Sequence, residues 1–127
     1  MSDHAHGKAV LDEVQPLGRA LRQAIPDVYR GYAELSKAAM AAGALDVKSK
    51  ELIALATAVS LQCDGCIASH ARGAARAGAV RQEVAEAIGV AVLLNGGPAT
   101  VYGPRAFDAF CEFADARDAA RGMEAPS

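Results

Sequence analysis

Apolar residues recur at three- and four-residue intervals along most of the chain, and nowhere do they alternate with polar ones as in a half-buried strand. Val10, Leu11, Val14, Leu17 and Leu21 predict a first helix over 8–22. Pro26 opens a second, since a helix start has no use for the N–H that proline lacks. Val28, Tyr29, Tyr32, Leu35 and Ala39 form its stripe, and it ends near Gly43. Asp46 stands where a cap is needed for a third helix reaching about Gln62, with Leu52, Leu55, Ala56 and Val59 inward. A fourth begins at Cys63 or Asp64 and stops at Gly78, a residue suited to the left-handed turn that ends helices. The fifth covers about 81–94 on Val84, Ala87, Ile88, Ala91 and Val92. Gly96-Gly97-Pro98 ends it and starts the sixth, which carries Val101, Phe107, Phe110, Cys111 and Ala114.

Six helices and no strand predict an all-α fold: one compact bundle over 8–118, with flexible tails at 1–7 and 119–127. The connections are short, so successive helices are expected to be antiparallel neighbours. Many packing positions are Ala or Gly, which let backbones approach closely but bury little area each. Apolar faces on more than one side of several helices point to a surface shared between copies, hence an oligomer.

Composition narrows the function. A chain of 127 residues suits one domain, and 52% hydrophobic with 22% charged residues is globular. A net charge of -2 with no basic run gives no reason to expect nucleic acid or a membrane surface. No stretch is long and apolar enough to span a bilayer. The segment "MSDHAHGKAV" lacks the charged-then-apolar order of a signal peptide, so the expected location is the cytoplasm. Three cysteines in a reducing compartment argue against a structural disulfide framework, and a close pair there is better read as catalytic or metal-binding.

That close pair lies in "LQCDGCIASH". On a helix advancing about 100° per residue, Cys66 and His70 fall roughly 60° and 20° from Cys63, so the three share one narrow face. The cysteines stand at the helix start, where free N–H groups and the macrodipole favour a thiolate. Asp64-Gly65 between them add little bulk. Glu51 lies on the preceding helix, roughly 16 Å below the bend at Gln62–Cys63. A hairpin therefore brings Glu51 nearer to His70 than to Cys63, and the order Glu51, His70, Cys66, Cys63 makes a proton relay ending at sulfur. Helix physics alone selects Cys63 as the more exposed attacking thiol.

Glu51, the Cys63-Asp64-Gly65-Cys66 pair, His70, "RAG" and the Gly96-Gly97-Pro98 break together resemble the alkylhydroperoxidase D-like branch of the carboxymuconolactone decarboxylase superfamily, over about Pro26 to Phe113. The resemblance implies an all-helical domain assembled into trimers or hexamers. It implies a thiol peroxidase or disulfide reductase that uses no flavin, haem or metal. Cys66 then attacks a hydroperoxide with help from His70 and Glu51, and Cys63 resolves the sulfenic acid to a disulfide. A dithiol reductant, a lipoyl group or a redox protein, restores both thiols. The chain departs from the founding peroxidases in two ways. Gly65 replaces an extra histidine between the cysteines, and the chain is shorter by a helical half.

Three other readings compete. One is a lyase of the decarboxylase branch, which generally lacks the cysteine pair. Another is a redox-sensing or zinc-binding module without catalysis, since Cys63, Cys66, His70 and Glu51 are all competent zinc ligands. Structural zinc sites, however, take a second close ligand pair, and the sequence has none. The last makes the cysteines small buried hydrophobes. Glu51 alone reads as an ordinary dipole partner near a helix start. His4 and His6 carry no site, Cys111 reads as core, and Tyr29, Tyr32 and Tyr102 as packing. Arg72 and Arg105 have the charge to hold an acidic substrate, but nothing in the sequence singles them out.

Overall fold

The computed structural model describes residues 3–122. Six helices make up the fold: α1 (Lys8–Ala24), α2 (Pro26–Met40), α3 (Val47–Leu61), α4 (Asp64–Arg76), α5 (Arg81–Asn95) and α6 (Ala99–Ala120). The described residues contain no strand. Of the two tails expected from the sequence, 1–2 and 123–127 lie outside the described residues. Ala119 and Ala120 complete α6, and His4 Nδ1 lies 2.9 Å from Asp108 Oδ1 on that helix.

Local chemistry sets the boundaries. Asp46 Oδ1 accepts from Ser49 N–H at 2.8 Å and caps α3. The end of α3 is a tight reversal: Gln62 N–H donates to Val59, and Cys63 N–H to Ala58. That pattern demands a left-handed residue, and Gln62 takes it at φ 56°, ψ 43°. The same device ends α4, where Gly78 (φ 89°) fills the left-handed position without a Cβ penalty. Glu83 reaches back from the first turn of α5 to accept from Val80 N–H at 2.9 Å.

The core is built by α3 to α6. Phe110, Leu55, Ile67, Val59 and Val84 are its large members, and the rest is mostly alanine. Constant sequence offsets fix the directions. Lys48 pairs with Glu83, and Ser60 bonds Asn95, so α3 and α5 run parallel. Arg105 meets Asp64, and Arg117 Nη1 donates to Ala75 O and Ala79 O, so α4 and α6 run parallel too. α3 touches α4 and α5, and α6 touches the same two.

This corrects one expectation. α4 and α5 are consecutive but not neighbours; they occupy opposite corners of the four-helix square. A short connection limits only the distance between two helix ends. The alanine face of α4, buried at Ala68, Ala71, Ala74 and Ala75, instead lets α6 settle against it. A second correction concerns α1 and α2, which contribute no buried residue and leave Leu17, Leu21, Val28, Tyr32 and Leu35 exposed. The compact bundle is therefore four helices, with α1 laid on α4 and α2 beyond it.

The caps carry a pH dependence. Hydrogen bonds from Ser49 hold the Asp46 carboxyl below its ordinary range, and the Val80 N–H followed by Lys48 does the same for Glu83. A depressed folded-state pKa gives stability that is present above the ordinary carboxylate pKa and lost as pH falls through the folded one. The urea midpoint is expected to fall between about pH 5 and pH 3, and an Asp46→Asn/Glu83→Gln variant to show a shallower fall over that interval.

Candidate active site

The reversal after α3 delivers the cysteines to the start of α4. Cys63 is not the first helical residue but the cap before it, with extended dihedrals (φ -106°, ψ 98°). Its Sγ accepts from Cys66 N–H at 3.2 Å. The angular argument that put three side chains on one face thus holds for Cys66 and His70, and Cys63 joins them through its capping role. The two sulfurs are bonded as a disulfide, with the Cα atoms 5.2 Å apart. Cys66 is exposed and Cys63 half-buried, so the expectation that Cys63 is the more exposed thiol is reversed. The cap position turns its sulfur inward to the helix N–H groups.

His70 lies one turn further along α4 and is half-buried. Its Nδ1 is 3.1 Å from Oε1 of Glu51. A carboxylate oxygen accepts from an imidazole N–H, so Nδ1 is the donor in this contact and the bond orients the ring. Glu51 is one of two buried polar or charged residues among those described, at 7% exposure. It stands in the second turn of α3, among the buried positions facing the core, and so is not a dipole partner in the first turn. Burying a carboxylate is costly unless a donor answers it, and His70 is that donor. The structure thus joins Glu51 to His70 and Cys63 to Cys66 as two pairs, with Cys66 and His70 one turn apart on α4.

Two further residues shape this site; sequence reasoning did not find the first, and named the second only as a charge able to hold an acidic substrate. The first is Gly73, three residues after His70. The nearest atoms to a Cβ built there all belong to the Glu51 carboxyl group, and the methyl would fall on Oε2. Glycine at this point of α4 is what admits the carboxylate. The second is Arg105 on α6. Its guanidinium stacks on Tyr102, 4.6 Å from the ring centroid, and Nη1 lies 3.5 Å from Oδ1 of Asp64, between the two cysteines. Tyr102 and Arg105 are three apart on one helix, which the sequence shows. Their approach to Asp64 depends on α6 lying along α4, which it does not. At the far end of α4, Arg117 donates to the carbonyls of Ala75 and Ala79 and bonds Asp118, which is buried.

The Gly73–Glu51 contact predicts a sign change. Gly73→Ala is expected to destabilise the protein by about 1–3 kcal/mol, because the carboxylate must move out of its place. In a Glu51→Ala background the same substitution is expected to be neutral or stabilising by up to about 1 kcal/mol, the ordinary helical gain of alanine over glycine. Urea denaturation of the four proteins measures the coupling, and additive effects would remove Gly73 from the site.

The chain has clear relatives. Its residues 26–109 match the carboxymuconolactone decarboxylase family. An uncharacterized protein from Cupriavidus necator is 36% identical over 103 residues, covering 81% of this chain and 91% of the relative. Among solved structures, the apo form of a carboxymuconolactone decarboxylase family protein from Legionella pneumophila superposes with a TM-score of 0.80 at 39% identity, covering 84% of this chain and 95% of its own. A Thermotoga maritima family member, for which an antioxidative response role has been suggested, superposes at 0.73 with 27% identity, covering 91% and 96%. With the family match covering most of the chain and the same helical fold in both crystal structures, the protein belongs to the carboxymuconolactone decarboxylase family.

Proposed function

We propose that the protein is a thiol-dependent peroxidase and disulfide oxidoreductase, reducing hydroperoxides through Cys63 and Cys66. The observation that carries this reading is a buried Glu51 carboxylate holding His70 by Nδ1, one helical turn from an exposed cysteine already bonded to its neighbour. The suggested antioxidative role of the Thermotoga maritima relative agrees with it.

In the reduced protein, the macrodipole at the start of α4 favours a thiolate at Cys66. The Cys66 sulfur attacks one peroxide oxygen, the O–O bond breaks, and the leaving alkoxide takes a proton by way of His70. Glu51 stabilises the charge that develops on the imidazole. Cys66 is now a sulfenic acid. The Cys63 sulfur attacks it, forms the S–S bond and expels water. One hydroperoxide and two thiols thus give one alcohol, one water and one disulfide. An external dithiol, a lipoyl group or a redox protein, returns two electrons by exchange through a mixed disulfide. Exposure suits Cys66 to the attacking role and Cys63 to the resolving one. The cycle needs a reducing compartment such as the cytoplasm, and no helix among the described residues is long and apolar enough to cross a membrane.

Assembly into a trimer or hexamer belongs to the same reading. Val14, Leu17, Leu21, Val28, Tyr32 and Leu35 leave an apolar surface on α1 and α2 that a single chain does not cover. Light scattering is expected to give three or six chains per particle, and a Leu21→Glu/Leu35→Glu variant a smaller one. A monomer at micromolar concentration would overturn this part.

Reduced protein is expected to lose two thiols per chain on treatment with hydrogen peroxide, and Cys66→Ser to abolish the loss of the pair. His70→Ala should slow the reaction by about 10²–10⁴-fold, the usual contribution of a positioned acid–base group. An unchanged thiol count after peroxide would end the proposal. Turnover of a small lactone acid that survives a Cys63→Ser/Cys66→Ser double change would favour the lyase reading. Stoichiometric zinc in purified protein would favour the binding module.

A further inference from the structure

We propose that the hollow between α1, α4 and α6 binds an amphipathic carboxylate, with its charged end on Arg72 and Arg76 and its apolar stem along Leu11 and Phe113. This proposal is independent of the redox reading. The hollow has a volume of about 400 Å³ and is lined by three helices. Its floor is apolar: Leu11 from α1, Ala75 from α4, Phe113 and Ala116 from α6. Four cations and one acid stand around it. Two of the cations are spent. Lys8 Nζ bonds Asp12 at 2.6 Å, and Arg117 is held by Asp118 and the carbonyls of Ala75 and Ala79.

Arg72 and Arg76 are different. They are four apart on α4, so their guanidinium groups share a side of the helix, where like charges repel. Arg72 is half-buried. Neither forms a salt bridge or side-chain hydrogen bond among the described residues. A positive wall over an apolar floor is complementary to one ligand chemistry, an anion on a hydrocarbon stem. The guanidinium fork matches a carboxylate bidentately and is weakly hydrated, so partial burial costs it less than it costs an ammonium. A second, smaller hollow shares Leu11, Gln15 and Arg72, so the lined surface continues along α1 beside the charged wall.

Isothermal titration of the full-length protein with decanoate, below its micelle threshold, tests this. Saturable binding is expected, weakened about tenfold or more by Arg72→Gln and weakened also by added salt. Decanol keeps the stem without the charge and acetate the charge without the stem; both are expected to bind at least about tenfold more weakly. Decyl phosphate serves as the competing anion. No saturable binding of decanoate, equal affinity for decanol, or unchanged affinity in Arg72→Gln would overturn the site. Tighter binding of decyl phosphate by more than about tenfold would overturn the carboxylate assignment. If Arg72→Gln fails to fold, Arg76→Gln and the salt titration of the native protein decide the same question.

Discussion

A carboxylate removed from water must be met by a hydrogen-bond donor, or it will not stay charged. Glu51 meets that condition through a single imidazole nitrogen, and the condition reaches far into the fold. It requires α3 and α4 to lie close enough for a side chain about three turns below their shared bend to touch one about two turns along the other arm. It requires a helical position on α4 with no side chain, which Gly73 fills. It also requires the bend to be tight, which Gln62 achieves in a left-handed conformation costing about 1–2 kcal/mol for a residue other than glycine. Strain of this kind gathers beside working sites, and here it lies one residue before the redox pair.

The alanine-rich core serves the same end. Small side chains let α4 nest between α3 and α6. Each contributes little burial, so polar fastenings take a larger share in fixing the arrangement. Lys48 to Glu83 and Ser60 to Asn95 set α3 beside α5, and Arg117 grips one carbonyl in the last turn of α4 and one just beyond it. The corresponding weakness lies in α1 and α2, whose stripes are periodic yet face solvent. Their periodicity describes a surface to be covered. It does not say by what.

Much of this was legible in the residues. The helix boundaries follow from Asp46, Gly78, Pro26 and the Gly96-Gly97-Pro98 break, because caps and stops act within one turn. The convergence of Glu51 on His70 followed from one assumption, that the two helices fold back on each other. What stayed hidden depends on contacts between helices distant in sequence. Gly73 looks like any glycine in "HARGAARAG" until Glu51 is placed against it. Arg105 is one arginine among many until α6 is laid along α4. The corner-to-corner placement of α4 and α5 escaped for a related reason: chain adjacency limits distance but does not choose partners. The exposure of Cys66 over Cys63 turned on a single residue's dihedrals, since a cap points its side chain back at the helix it begins.

The parallel course of α4 and α6 has a geometric corollary. Arg105 stands level with Asp64, yet α6 begins at Ala99, so roughly 9 Å of it projects past the first turn of α4. That projection makes a parapet on the flank of α4 where Arg105 meets Asp64, and it carries Tyr102 and the exposed Val101. In the cycle proposed above, such a rim would obstruct a bulky dithiol protein more than a small peroxide, so the two halves of that cycle would use different avenues, sorted by size.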